Sequence, residues 1–158
     1  QTLVSVDPES IEYYKANAAA YQKSLNDLHE WTLEQIQEIP PSQRILITAH
    51  DAFSYFGRAY GIEVRGLQGI STLSEFGLKD RVELIDYIVQ KRIPAVFVET
   101  SVSERNINAI VEGCRQKGHE VVIGGSLFSD AMGAAGTPEG SYMGMVRANV
   151  KVIVEALR

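Results

Sequence analysis

The chain has 158 residues, 45% of them hydrophobic and 22% charged, which suits one core-bearing domain and excludes a disordered or fibrous protein. Twenty acidic against 15 basic side chains leave a net charge of −5, which argues against nucleic acid or an anionic membrane as the main partner. Cys114 is the one cysteine and cannot form an internal disulfide, and no stretch reaches the roughly 20 apolar residues that span a bilayer.

The first segment reads as one long helix. Asp7 is placed as its N-cap, Pro8 at its first position and Glu9 at its positive end. Ile11, Tyr14, Ala18, Tyr21, Leu25, Leu28, Thr32 and Ile36 recur at spacings of three and four until Pro40-Pro41. Some 32 helical residues would be roughly 48 Å long, more than a small domain is wide. Two readings follow: a strut reaching beyond this domain, or a hairpin broken near Asn17. The segment Gln1 to Asp7 carries no initiator Met, no signal-peptide pattern and no lipidation-type Cys. The chain is therefore expected to be processed or cut from something larger.

After Pro41, strands and helices alternate. Strands are predicted over residues 44–48, 62–66, 94–98 and 119–123, and each is short, apolar and β-branched. Helices are predicted over 51–60 with Gly61 as stop, over 78–92 with Val82, Ile85 and Val89 inward, and over 103–117 with Ile107, Ile110, Val111 and Cys114 inward. A last helix starts at Thr137-Pro138, with Val146, Val150, Ile153, Val154 and Leu157 as its stripe. The alternation predicts an α/β fold, a long N-terminal helix followed by a four-stranded parallel sheet with helices on both faces.

Sites in open parallel sheets form beyond the carboxyl ends of the strands. His50, Glu99 and Asp130 all follow predicted strands, so one imidazole and two carboxylates should gather at one edge. Such a group serves either as a metal-ligand set or as an acid–base set. Asp51 reads as a helix cap, and His29 and His119 as surface residues. Gly124-Gly125 lacks the spacing of a phosphate loop, and Ser101 and Ser126 lack the elbow of a serine hydrolase. His50 and Asp130 leave a closed metal site about two ligands short, with Glu99 as the lesser candidate.

Four segments in this order resemble the manganese/zinc-binding solute-binding proteins of bacterial ABC importers: Ile47–Gly61 (ITAHDAFSYFGRAYG), Leu67–Glu75 (LQGISTLSE), Ala95–Thr100 (AVFVET) and Gly124–Gly133 (GGSLFSDAMG). The resemblance implies two α/β lobes joined by one long helix, with the ion between them. Residues 1–40 would be that interlobe helix and 41–158 the C-terminal lobe. It further implies that His50 and Asp130 are this lobe's direct ligands, and some members carry Glu in place of His50. Glu99 would orient a ligand rather than bind. The family's other two ligands are histidines of the N-terminal lobe and of the segment before the long helix. The implied cargo is Zn2+ or Mn2+, transported rather than used in catalysis. The implied partners are an ABC permease and the N-terminal lobe, in a periplasmic or extracytoplasmic setting, with any membrane contact made through a lipid anchor. The rival readings are a metal-assisted hydrolase using Asp130 or Glu99 as base, and a metal-free adhesion or partner-binding module.

Overall fold

The computed structural model describes residues 2–68, 77–101 and 103–158. Residues 69–75 of the second resembling segment lie outside the described residues. A short helix α1 (Thr2–Val6) and a 3-10 turn at Pro8–Ser10 precede the long helix α2 (Ile11–Gln37). The long helix thus starts three residues later than expected. Asp7 does not cap it with a side-chain bond; its carboxylate accepts the Tyr14 hydroxyl at 2.8 Å, which holds its pKa below the ordinary value.

Helix α2 runs unbroken past Asn17, so the hairpin reading fails. No Gly or Pro lies between Ile11 and Gln37, and nothing else interrupts the ladder. At about 1.5 Å per residue, its 27 residues extend roughly 40 Å. Its last turns bury Leu28, Thr32 and Ile36, whereas Ala18 and Tyr21 of the same stripe remain exposed.

The strands are β1 (Ile45–His50), β2 (Glu63–Gln68), β3 (Ala95–Glu99) and β4 (Val122–Leu127). They alternate with α3 (Ser54–Tyr60), α4 (Leu78–Lys91) and α5 (Arg105–Gln116), and α6 (Tyr142–Leu157) closes the chain. All pairing is parallel: β1 with β2 from Ile45 opposite Glu63, and β3 with β4 from Ala95 opposite Val122. The expected single four-stranded ladder is split into these two pairs among the described residues. β1 packs beside β3, so the spatial order is β2-β1-β3-β4.

Strand periodicity divides the core. Ile45, Ile47 and Ala49 of β1 and Val96 and Val98 of β3 pack with α4 and α5. Leu46, Ala95 and Phe97 face the other way, against Ile36 of α2 and Val150, Ile153, Val154 and Leu157 of α6. The helices thus cover both faces, as the pattern predicts.

Four local expectations change. β4 starts later and runs through Gly124-Gly125. Its register slips there, with Val96 opposite Ile123 but Phe97 opposite Gly125, so Gly124 is a bulge. A Cβ on Gly124 would come within 2.6 Å of Ala156 Cβ and 2.9 Å of the Phe97 ring, so these glycines admit α6 against the strand. Helix α6 begins at Tyr142 rather than at Thr137, because Ser141 caps it by accepting Gly144 N–H at 3.1 Å. Helix α4 buries Leu84, Ile85 and Ile88 and leaves Val82 exposed, its inner face rotated toward α5. Helix α3 starts at Ser54, so Asp51 caps nothing; its carboxylate accepts the Ser54 hydroxyl instead. Helix α5 ends as expected before Gly118 at φ 77°, where Gly118 N–H and His119 N–H donate to the carbonyls of Arg115 and Cys114. Burial in this core pushes the Cys114 thiol up to about 11, so it stays an unreactive packing group.

Candidate metal centre

Three parallel strands deliver three polar side chains to one edge. β1 ends on His50, β3 ends on Glu99, and Asp130 follows β4 by three residues. The structure brings all three together. Glu99 Oε1 accepts the backbone N–H of His50 at 2.9 Å, and Oε2 stands 2.8 Å from His50 Nδ1. One carboxylate therefore grips both the backbone and the ring of the same histidine. The ring contact has ion-pair distance without hydrogen-bond angles, and among the described residues Nδ1 and Oε2 have no conventional partner. On the other side of the ring, Nε2 lies 3.4 Å from Asp130 Oδ2.

Burial separates the two carboxylates. The Glu99 side chain is fully buried and His50 5% exposed, while Asp130 is 65% exposed. The imidazole thus stands between a fixed interior acid and an outer acid on a loop. Nε2 and Asp130 meet at an open cleft of about 460 Å³, which Ala52, Ser54, Tyr55 and Ser129 also line. Among the described residues, no group of three His, Cys, Asp or Glu side chains is disposed to hold an ion. Glu99 faces the far side of the ring, and the donors on the cleft side are one nitrogen and one carboxylate.

The backbone beneath His50 is fixed from several directions. Its carbonyl accepts the Thr48 hydroxyl at 2.8 Å and Ala52 N–H at 3.0 Å. Gly66 of β2 passes so close that a Cβ there would lie 2.6 Å from Asp51 N and 2.7 Å from the His50 carbonyl carbon. Both neighbours are backbone and cannot swing aside. Gly66→Ala is therefore expected to cost about 1–3 kcal/mol by overpacking and to shift His50. A lowered urea midpoint together with weakened ion binding would check this.

Sequence reasoning missed Gly66 and also Asn149. Asn149 is buried within the apolar stripe of α6, and its side-chain amide accepts Phe128 N–H at 2.9 Å and donates to Phe128 C=O at 2.7 Å. A lone polar residue beside Val146, Val150 and Ile153 was the available signal, as was a glycine inside a strand. The remaining expected residues lie elsewhere. His29 is exposed, as predicted, with Nδ1 3.1 Å from the Tyr60 hydroxyl. His119 is half-buried rather than a free surface residue, with Nε2 2.8 Å from the Ile93 carbonyl. Ser101 pairs its hydroxyl with Ser129 at 2.7 Å, and Ser126 is exposed on β4; the described contacts give neither a bond to His50.

The family model for the periplasmic zinc-uptake complex component A, ZnuA, matches residues 1–156. The chain is 52% identical over 151 residues to the manganese-binding lipoprotein MntA of Bacillus subtilis (strain 168), covering 96% of this chain and 49% of that protein. It is 46% identical over 157 residues to the zinc-binding protein TroA of Treponema pallidum (strain Nichols), covering 99% of this chain and 51% of that one. The solved structure of periplasmic zinc-binding TroA from Treponema pallidum superposes with a TM-score of 0.93, over 99% of this chain and 56% of that chain. The chain spans about half the length of these relatives. With four parallel strands, a long leading helix and this match over nearly its whole length, the chain belongs to the ZnuA family.

Proposed function

We propose that this chain is the C-terminal lobe and interlobe helix of an extracytoplasmic protein that captures Zn2+ or Mn2+ and delivers it to an ABC permease. His50 Nε2 and Asp130 supply this lobe's two ligands, and Glu99 orients His50. The single observation that carries the reading is the 3.4 Å separation of Nε2 and Oδ2 across an open cleft. Two donors bound to a tetrahedral ion at about 2.0–2.1 Å stand roughly 3.4 Å apart. The pair is therefore spaced to share one ion without rearrangement.

The rest of the site fits that role. A carboxylate against Nδ1 favours the proton on that nitrogen, which leaves the Nε2 lone pair for the ion. Exposure of Asp130 gives an ion a path in and out, while the buried His50–Glu99 pair stays fixed. Two donors do not close a coordination shell, so the remaining ligands come from another lobe. The first turns of α2, with Ala18 and Tyr21 exposed, form the strut toward it. The 1–40 and 41–158 division follows from that role, and its setting is periplasmic, with a lipid anchor on the full-length protein as the MntA relative's name records for that protein. Capture and release, rather than turnover, is the function, in line with relatives named as binding proteins.

Calorimetric titration of the full-length protein with Zn2+ and Mn2+ tests the proposal. One ion per protein is expected, and failure to bind either ion contradicts it. Glu99→Gln retains the acceptor for the His50 N–H but removes the charge beside Nδ1. It should weaken binding by about ten- to a hundredfold, the range for an outer partner of a ligating histidine, measured by competition with a chelator.

A further inference from the structure

We propose that Asn149 is the positioning residue of the Asp130 carboxylate, acting through the backbone of Phe128; the proposal rests on the reading of His50 and Asp130 as ion ligands. β4 ends at Leu127, so its ladder does not hold the segment that carries Asp130. Asn149 takes over at the next residue. Its amide accepts the Phe128 N–H and donates to the Phe128 carbonyl, at 2.9 and 2.7 Å. Those are the two bonds a neighbouring strand would supply, made here by one side chain from α6. Asp130 lies two residues further along.

The placement of Asn149 argues for a dedicated role. It is 6% exposed on the face of α6 that otherwise buries Val150, Ile153 and Val154. An amide there costs free energy unless bonded, and its oxygen and its nitrogen are bonded to the two backbone groups of one residue, Phe128. A further tie on this loop, the Ser101–Ser129 hydroxyl pair, is exposed. The two ligands thus have separate supports, Glu99 for His50 and Asn149 for Asp130. Ligand geometry must hold within about 0.5 Å to keep affinity, and the clasp supplies that constraint on the exposed side of the cleft.

The test is Zn2+ affinity of the full-length protein, by chelator competition, for Asn149→Leu alone and combined with Asp130→Asn or His50→Gln. Asn149→Leu should weaken binding by about ten- to a hundredfold while keeping a cooperative melt. In the Asp130→Asn background it should cost less than about twofold, because the ligand it positions is already impaired. In the His50→Gln background the full loss should persist. Equal losses in both backgrounds, or no loss in the otherwise unchanged protein, overturn the proposal. If Asn149→Leu fails to fold, Asn149→Asp, which keeps the volume and the acceptor but removes the donor, is held to the same outcomes. Absence of Zn2+ binding by the unchanged protein would instead overturn the ion-binding reading and this proposal with it. Binding that depends on Asp130 but not on Asn149 would overturn the positioning role alone.

Discussion

His50→Ala in the full-length protein is expected to lower Zn2+ affinity by more than about a hundredfold, beyond the cost of losing an outer partner such as Glu99. The same substitution should also destabilise the fold. It removes the ring that shares a buried site with the fully buried Glu99 carboxylate. A buried polar group that loses its neighbour without replacement costs about 1–3 kcal/mol. Asp130→Ala should match it in lost affinity and differ in stability. Its side chain is 65% exposed, and exposed charge contacts contribute at most about 1 kcal/mol. Calorimetry and urea denaturation on both variants therefore give a two-way pattern. Equal stability losses would mean that the burial contrast between the two proposed ligands has no energetic meaning.

Phe97→Ala should give the largest loss of stability, about 3–5 kcal/mol for a fully buried aromatic ring, against the 5–15 kcal/mol that holds a typical domain together. Phe97 is completely buried on β3, in the cluster formed with α2 and α6. Its ring edge lies where a Cβ on Gly124 would fall within 2.9 Å, so the space around it is already filled to contact. Little collapse into the vacated volume is available. Glu99 stands two residues further along the same face of β3, so the lost ring also loosens the carboxylate that holds His50. Urea unfolding should show a lower midpoint with an unchanged slope, and Zn2+ affinity should fall with it. An unfolding free energy within 1 kcal/mol of the unsubstituted protein would contradict the core assignment.

The residues explain why much of this was legible. Runs such as Ile45–Thr48 and Ala95–Val98 are apolar on both sides because helices cover both faces of the sheet. A buried parallel strand leaves its polar residue at its carboxyl end, and so His50 and Glu99 are legible as edge residues from the sequence. What escaped depends on contacts distant in sequence. Gly124-Gly125 reads locally as a loop, yet the close approach of Ala156 and Val152 makes it a bulged strand. Asn149 reads as a blemish in an apolar helix, and its role emerges once Phe128, 21 residues away, is seen against it. The inner face of α4 is set by α5 and the sheet, not by its own periodicity, which is why Leu84 and Ile88 replaced Val82. Thr137-Pro138 carries helix-start signals, but they open a 3-10 turn at Pro138–Gly140, and the bonded cap belongs to Ser141.

An anomalous-difference map at the zinc absorption edge, from crystals of the full-length protein grown with Zn2+, tests the account most directly. One peak is predicted between His50 Nε2 and the Asp130 carboxylate, with Glu99 against Nδ1 and outside the coordination shell. A peak bonded to Glu99, or none within reach of His50 and Asp130, would contradict it.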